Sequence, residues 1–221
     1  MESLGAHGRE SKAAATSHAK AVVFVVDDDI SVRESLQMLI QNAGWRPVLF
    51  GSAQEFLAQP RVITPSCLIL DVSLPGLNGF DLQRRVADRI DMPIIFITGH
   101  GDVPMSVRAM KAGAAEFLTK PFTDESLLEA ITHAIARSQA AVSKESELQS
   151  LRTRYESLSH REQQVMGLIV AGLLNKQVGA QLNIQETTVK AHRGMLMRKM
   201  QARTFVDLVN MAARLGVGKE A

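Results

Sequence analysis

The sequence predicts an α/β chain in which a doubly wound, parallel, five-stranded sheet is followed by a small all-α domain. Three observations carry this. Short apolar runs alternate with amphipathic segments five times between positions 21 and 137. Beyond Asp124 no strand-like run remains, and Gly172, Asn183 and the pair Arg203, Thr204 punctuate a series of helix formers. Charge divides in the same place: residues 21–139 hold 10 basic and 14 acidic side chains and residues 140–221 hold 12 basic and 7 acidic, beneath a net charge of only +2. An acidic front and a basic back imply different partners for the two halves, although a basic surplus alone is also what a solvated helix face looks like.

Taken in order, the expected strands are 22–26, 48–50, 67–70, 94–97 and 116–118, each followed by an expected helix at 32–42, 53–58, 77–87, 103–111 and 127–137. Repeated strand-then-helix units imply parallel strands with helices on both faces. Residues 1–20 are mostly Ala, Ser, Gly, His and charged residues without an apolar core for a signal peptide, and are expected to be a disordered tail. Cys67, the single cysteine, allows no intramolecular disulfide and no cysteine-rich zinc site; it lies in an apolar run and reads as core packing. No stretch reaches the roughly 18 apolar residues of a membrane span, so a cytoplasmic protein with no membrane partner is expected.

Residues 138–157 contain neither Gly nor Pro and predict a helical linker between the sheet domain at 21–137 and the helical domain at 158–221. Leu127, Ile131, Ala134, Ala141, Leu148 and Tyr155 fall near a 3.5-residue spacing, interrupted by Ser138, Glu145 and Arg152. An exposed spacer helix and a dimer seam both fit this pattern.

In an open parallel sheet, ligands bind beyond the carboxyl ends of the strands. The polar residues found there are Asp27, Asp28 and Asp29 after the first run, Asp71 after the third, Thr98 after the fourth and Lys120 after the fifth. Several carboxylates within about 5 Å repel one another by several kcal/mol in a partly desolvated cleft unless a cation or proton compensates. Lys120 and a hard divalent ion would both do so, and all-oxygen ligation favours magnesium. A blander role, helix capping, suits Asp29 but not acids at separate strand ends.

The segments Val25-Val26-Asp27-Asp28-Asp29, Leu70-Asp71-Val72-Ser73-Leu74-Pro75-Gly76, Ile97-Thr98-Gly99 and Phe117-Leu118-Thr119-Lys120-Pro121-Phe122 resemble, in order and spacing over about 120 residues, the signature segments of response-regulator receiver domains. The resemblance implies a flavodoxin-like fold with Asp71 as phosphoryl acceptor. It implies Mg2+ held by Asp71, directly by Asp28, through water by Asp27, and by the Ser73 carbonyl. Thr98 and Lys120 would hold phosphoryl oxygens, Lys120-Pro121 would be cis, and Gly79 matches the glycine that opens the third helix. Phe117 matches the family's switch position; plain core packing is its other reading.

In the second domain, Ser159 and Glu162 have the spacing of a capping box. Asn175-Lys176-Gln177-Val178-Gly179-Ala180-Gln181-Leu182 and Glu186-Thr187-Thr188-Val189-Lys190-Ala191-His192-Arg193, joined by Asn183-Ile184-Gln185, describe two short helices and a tight turn. Val189 is expected to pack on the first helix, Lys190 and Arg193 to share a groove-facing side, and Arg198 and Lys199 to meet phosphates. The segment 158–217 resembles the LuxR-type helix-turn-helix of FixJ/NarL regulators, with departures at Asn183 for the usual turn glycine, Gln185 for the usual serine cap, and Gly194 inside the recognition helix. The resemblance implies DNA contacts by Lys176, Thr187, Thr188, Lys190, Ala191, Arg193, Arg198 and Lys199.

Together the two resemblances imply a transcription regulator that a sensor histidine kinase phosphorylates and thereby switches to a homodimer on double-stranded promoter DNA, with RNA polymerase left open as a further partner. Its only chemistry would be its own phosphoryl transfer and dephosphorylation. A phosphohydrolase using Asp71 would need a second carboxylate two residues on, where Ser73 stands, and a cap insertion that the sequence lacks. A sensor of apolar ligands would need an aromatic pocket, and the chain has one Trp and one Tyr.

Overall fold

The computed structural model describes residues 21–61 and 63–218; the tail expected over 1–20 lies outside them. The described elements are β1 (Val22–Val26), α1 (Ile30–Asn42), β2 (Arg46–Phe50), α2 (Ala53–Leu57), β3 (Ser66–Asp71), α3 (Gly79–Arg85), β4 (Ile94–Thr98), α4 (Val103–Lys111), β5 (Glu116–Thr119), α5 (Asp124–Glu156), α6 (His160–Val170), α7 (Asn175–Leu182), α8 (Glu186–Met200) and α9 (Phe205–Leu215). The chain divides into two compact units, one running to Val142 and the other starting at Ser143.

In the first unit the sheet order is β2-β1-β3-β4-β5 with every pair parallel. Alternate residues of each strand face opposite sides. Phe24, Val26, Leu68, Leu70 and Phe96 join a core covered by α2, α3 and α4, with Phe56, Leu82 and Ala109. Val23, Val25, Ile69, Ile95 and Ile97 join a second core covered by α1 and α5, with Leu36, Ile40, Leu127 and Ile131. Each of these large side chains contributes about 1.5–3 kcal/mol on burial, which is why the inner strands carry no interior polar residue. β2 is an edge strand, so Pro47 within it interrupts no central ladder. Cys67 is fully buried, and burial pushes its thiol well above the usual range.

Capping sets the helix starts that periodicity blurs. Asp29 accepts from Ser31 N at 2.8 Å, so α1 opens at Ile30, and Asn78 accepts from Asp81 N at 2.9 Å, so α3 opens at Gly79 and not at 77. α5 is one helix from Asp124 to Glu156 and takes in the span 138–156, where a helical linker is expected. Of the 3.5-spaced apolar positions, four are divided between two cores, and Ala141 and Leu148 enter neither. Leu127, Ile131 and Ala134 belong to the sheet, whereas Tyr155, with neighbouring Leu151, packs with Leu158, Val165, Met166, Val189 and Leu196 in the second unit. Ser138, an interruption in the sequence pattern, is buried; its hydroxyl accepts from Ser66 N at 2.8 Å and donates to Asp91 O.

Candidate functional site

β1 ends at Val26 and delivers Asp27, which is fully buried, to the carboxyl edge of the sheet. Its Oδ1 accepts from Asp29 N at 2.9 Å, its carbonyl from Arg33 Nη1 at 2.7 Å, and its Oδ2 from Lys120 Nζ at 2.8 Å. β3 brings Asp71 to the same edge, 7% exposed, with Oδ2 at 4.0 Å from Lys120 Nζ. Asp28 is exposed. Carboxylate oxygens of Asp27, Asp28 and Asp71 lie within 4.8 Å of one another.

The electrostatics are those of a site short of positive charge. Burial pushes the Asp71 carboxyl above its ordinary range; Lys120 and the Ser73 backbone N–H oppose this, while Asp27 and Asp28 add to it. Asp71 Oδ1 is buried and has no hydrogen-bond partner. A buried, unpaired carboxylate oxygen among two further acids fits a hard cation, and the donors present are all oxygen, as such ions prefer. Asp27, Asp28 and Asp71 are the residues able to hold it, with the exposed Ser73 two positions after Asp71.

Thr98 ends β4 fully buried, one step past the Asp71–Ile97 register pair, and its Oγ1 accepts from His100 N at 3.2 Å. Phe117 in β5 is half-buried, packed on the α2–α4 core with its ring 6.3 Å from that of Phe96. The peptide Lys120-Pro121 is cis. Two glycines hold this edge together. A Cβ on Gly79 would stand 2.5 Å from Asp71 O, so α3 starts flush against the acid's backbone. A Cβ on Gly101 would stand 2.5 Å from Thr119 Cγ2 and 3.1 Å from both Thr98 Cγ2 and Phe117 Cε1. Sequence reasoning missed Gly101, because a glycine in a Gly-His-Gly loop carries no sign of which side chains it admits.

In the second unit, α7 and α8 meet at a turn where Asn183 adopts left-handed geometry (φ 52°) and Ile184 N donates to Gly179 O at 2.9 Å. A Cβ on Gly179 would lie 2.8 Å from Ile184 O, which is why a glycine stands there. Gln185 makes no side-chain cap at the start of α8, while the capping box of Ser159 and Glu162 is formed on α6. Val189, Leu196 and Met200 turn α8 inward. Thr187, Thr188, Lys190, Ala191 and Arg198 are exposed on α8 and Lys176 on α7, with Lys190 paired to Glu186 at 3.0 Å on the surface. The remaining two expected contacts are engaged within the unit. Arg193 donates to Asn175 Oδ1 at 3.3 Å with its guanidinium 5.0 Å from the Phe205 ring, and Lys199 pairs with Glu162 at 2.7 Å. Among the described residues no helix is long and apolar enough to cross a membrane.

Residues 23–132 match the family described as response regulator receiver domain, and residues 156–212 match that described as bacterial regulatory proteins, luxR family. The chain is 51% identical over 199 residues to nodulation protein W of Bradyrhizobium diazoefficiens, covering 90% of this chain and 88% of that one. It is 41% identical over 199 residues to the transcriptional regulatory protein FixJ of the same organism, covering 90% and 97%. Among solved structures, the response regulator StyR matches with a TM-score of 0.80 at 44% identity over 89% of this chain and 100% of that one. Full-length FixJ from B. japonicum matches with a TM-score of 0.53 at 41% identity over 90% and 98%. A receiver implies a histidine kinase as phosphodonor and a LuxR-type domain implies DNA as ligand. The chain therefore belongs to the response regulators that join a receiver domain to a LuxR-type DNA-binding domain, a family of transcriptional regulators.

Proposed function

We propose that Asp71 is the phosphoryl acceptor and that its phosphorylation controls promoter binding through α8. The observation that carries this is the buried, unpartnered Asp71 Oδ1 beside Asp27, Asp28 and Lys120. An Asp71 oxygen attacks the phosphorus of a kinase phosphohistidine; the O–P bond forms as the P–N bond breaks and the imidazole leaves with the electron pair. Lys120 stabilises the charge that develops on the phosphoryl oxygens, and the Thr98 hydroxyl, buried at the end of β4, donates to one of them. Asp27, Asp28, Asp71 and the Ser73 carbonyl would hold Mg2+, which supplies the rest of the charge compensation. Hydrolysis of the same acyl phosphate resets the switch.

Thr98 moving towards the phosphoryl group frees room for Phe117, and the face of α4, β5 and α5 becomes the contact of a homodimer. Val103, Val107 and Met110, exposed at intervals of four and three along α4, support that reading. On DNA, Lys190 and Ala191 face the bases; Thr187, Thr188, Lys176 and Arg198 flank them from exposed positions. Arg193 has five N–H donors and spends one on Asn175, so it retains donors for DNA. The protein acts in the cytoplasm, with RNA polymerase left open as a further partner on the promoter.

The test is intact-mass analysis of the full chain with acetyl phosphate and Mg2+. One hydroxylamine-labile phosphoryl group is expected on the wild type and none on Asp71→Asn. Labelling that survives in Asp71→Asn assigns the acceptor elsewhere.

A further inference from the structure

Lys199 is a cation near the end of the recognition helix, where a phosphate contact is the simplest expectation, yet its surroundings give it another task. Its Nζ lies 2.7 Å from Glu162 Oε2 and 3.3 Å from Ser157 O. Glu162 is 4% exposed, and the same Oε2 accepts from Ser159 N at 2.7 Å, closing the capping box of α6. Burial pulls the Glu162 carboxyl upward, but hydrogen bonds from Lys199 and Ser159 outweigh it and hold the acid below its ordinary range, ionised at neutral pH. An ammonium group has three donors, and two are committed here. Reaching for a phosphate would leave Glu162 buried without its counter-charge, a larger loss than an exposed phosphate contact returns.

A second contact fixes the same end of α8. Arg154, in the last turns of α5, donates from Nη1 to Met200 O at 3.5 Å, where α8 stops at the left-handed Gln201 and its final carbonyls lack helical partners. Leu151, one turn earlier on α5, is 4% exposed and belongs to the same core as Leu196 and Met200. Both residues precede position 156, where the match to the luxR family begins.

We infer that Lys199 is a positioning residue: with Glu162 and Arg154 it clamps the C-terminal end of the recognition helix to the start of α6 and the last turns of α5, and it does not touch DNA. The inference rests on the proposal that α8 reads the DNA. The clamp sets the angle at which Lys190 and Ala191 are presented, so it acts on sequence-specific binding through residues that do contact the duplex.

The test uses the full chain, a duplex selected from random-sequence DNA by the wild-type protein, and a titration at several salt concentrations. Glu162→Gln and Lys199→Gln should each weaken binding to the selected duplex about tenfold, and the double variant no more than the worse single one, because the pair is a unit. The slope of log affinity against log salt should stay at the wild-type value, and Lys199→Arg should recover most of the loss. A phosphate contact predicts a slope smaller by about 0.9 per protomer for Lys199→Gln, no loss for Glu162→Gln, and additive effects; that outcome overturns the inference. Glu162→Gln, nearly isosteric and away from DNA, decides the matter even if Lys199→Gln does not fold. Lys190→Ala is the control for the underlying proposal: if it leaves affinity for the selected duplex unchanged, α8 is not the reader and the inference falls with that proposal and not on the clamp data.

Discussion

The acid pocket of the sheet and the exposed face of α8 use charge in opposite ways. In the pocket, Asp27 and Asp71 are almost fully withdrawn from water, and Lys120 is shared between them at 2.8 and 4.0 Å. On α8, Thr187, Thr188, Lys190 and Arg198 stand in solvent, and the ion pair of Glu186 with Lys190 on that face is a surface contact worth little. Buried charge must be compensated at a fixed place, so each pocket residue is held to one position. Exposed charge needs no partner within the chain, and a cation that reads DNA looks like one that does not.

The contrast breaks most sharply at Asp71. Asp71→Asn should remove phosphoryl labelling altogether while leaving the affinity of the unphosphorylated chain for DNA unchanged; residual labelling would place the acceptor on another residue. Lys190→Ala should weaken binding to the selected duplex by about 1–3 kcal/mol, the range for a side chain reading a base edge, as measured by fluorescence anisotropy. A change confined to non-specific DNA would make Lys190 a phosphate contact. Gly79→Ala forces a Cβ to within 2.5 Å of Asp71 O, and should lower the stability of the first unit by about 2 kcal/mol, typical of overpacking, in a thermal melt. Gly194→Ala should do the reverse: an added Cβ there meets nothing within 4 Å, so stability should rise by up to about 1 kcal/mol from helix propensity. An unchanged melt at Gly194 would show that α8 is held by its clamps and not by propensity.

What was legible in the sequence follows the same division. The strand runs end in Asp27, Asp71, Thr98 and Lys120, and a parallel sheet puts its strand ends at one edge, so the run ends alone bring these four residues together. Ser159 and Glu162 announced the start of α6 by their spacing. Sequence points both Lys190 and Lys199 of α8 at DNA, since only the fold brings Glu162, 37 residues away, to the latter. Sequence could not show that Tyr155 and Leu127, which share one heptad-like spacing, belong to different cores. Periodicity reports that a side chain is buried, not against what.

That partition of α5 has a further consequence. Among the described residues, none from 139 to 150 enters any of the apolar cores, and the stretch is tied by surface contacts such as Glu147 to Arg214 at 3.1 Å. About three turns of helix are therefore sustained by propagation from their neighbours and not by packing, and helix in water is marginal at that length. The backbone amides there should exchange with deuterium well before those of Leu127 to the one side and Leu151 to the other. A protease given brief access should nick the chain in this span first, releasing two pieces that each keep their own core.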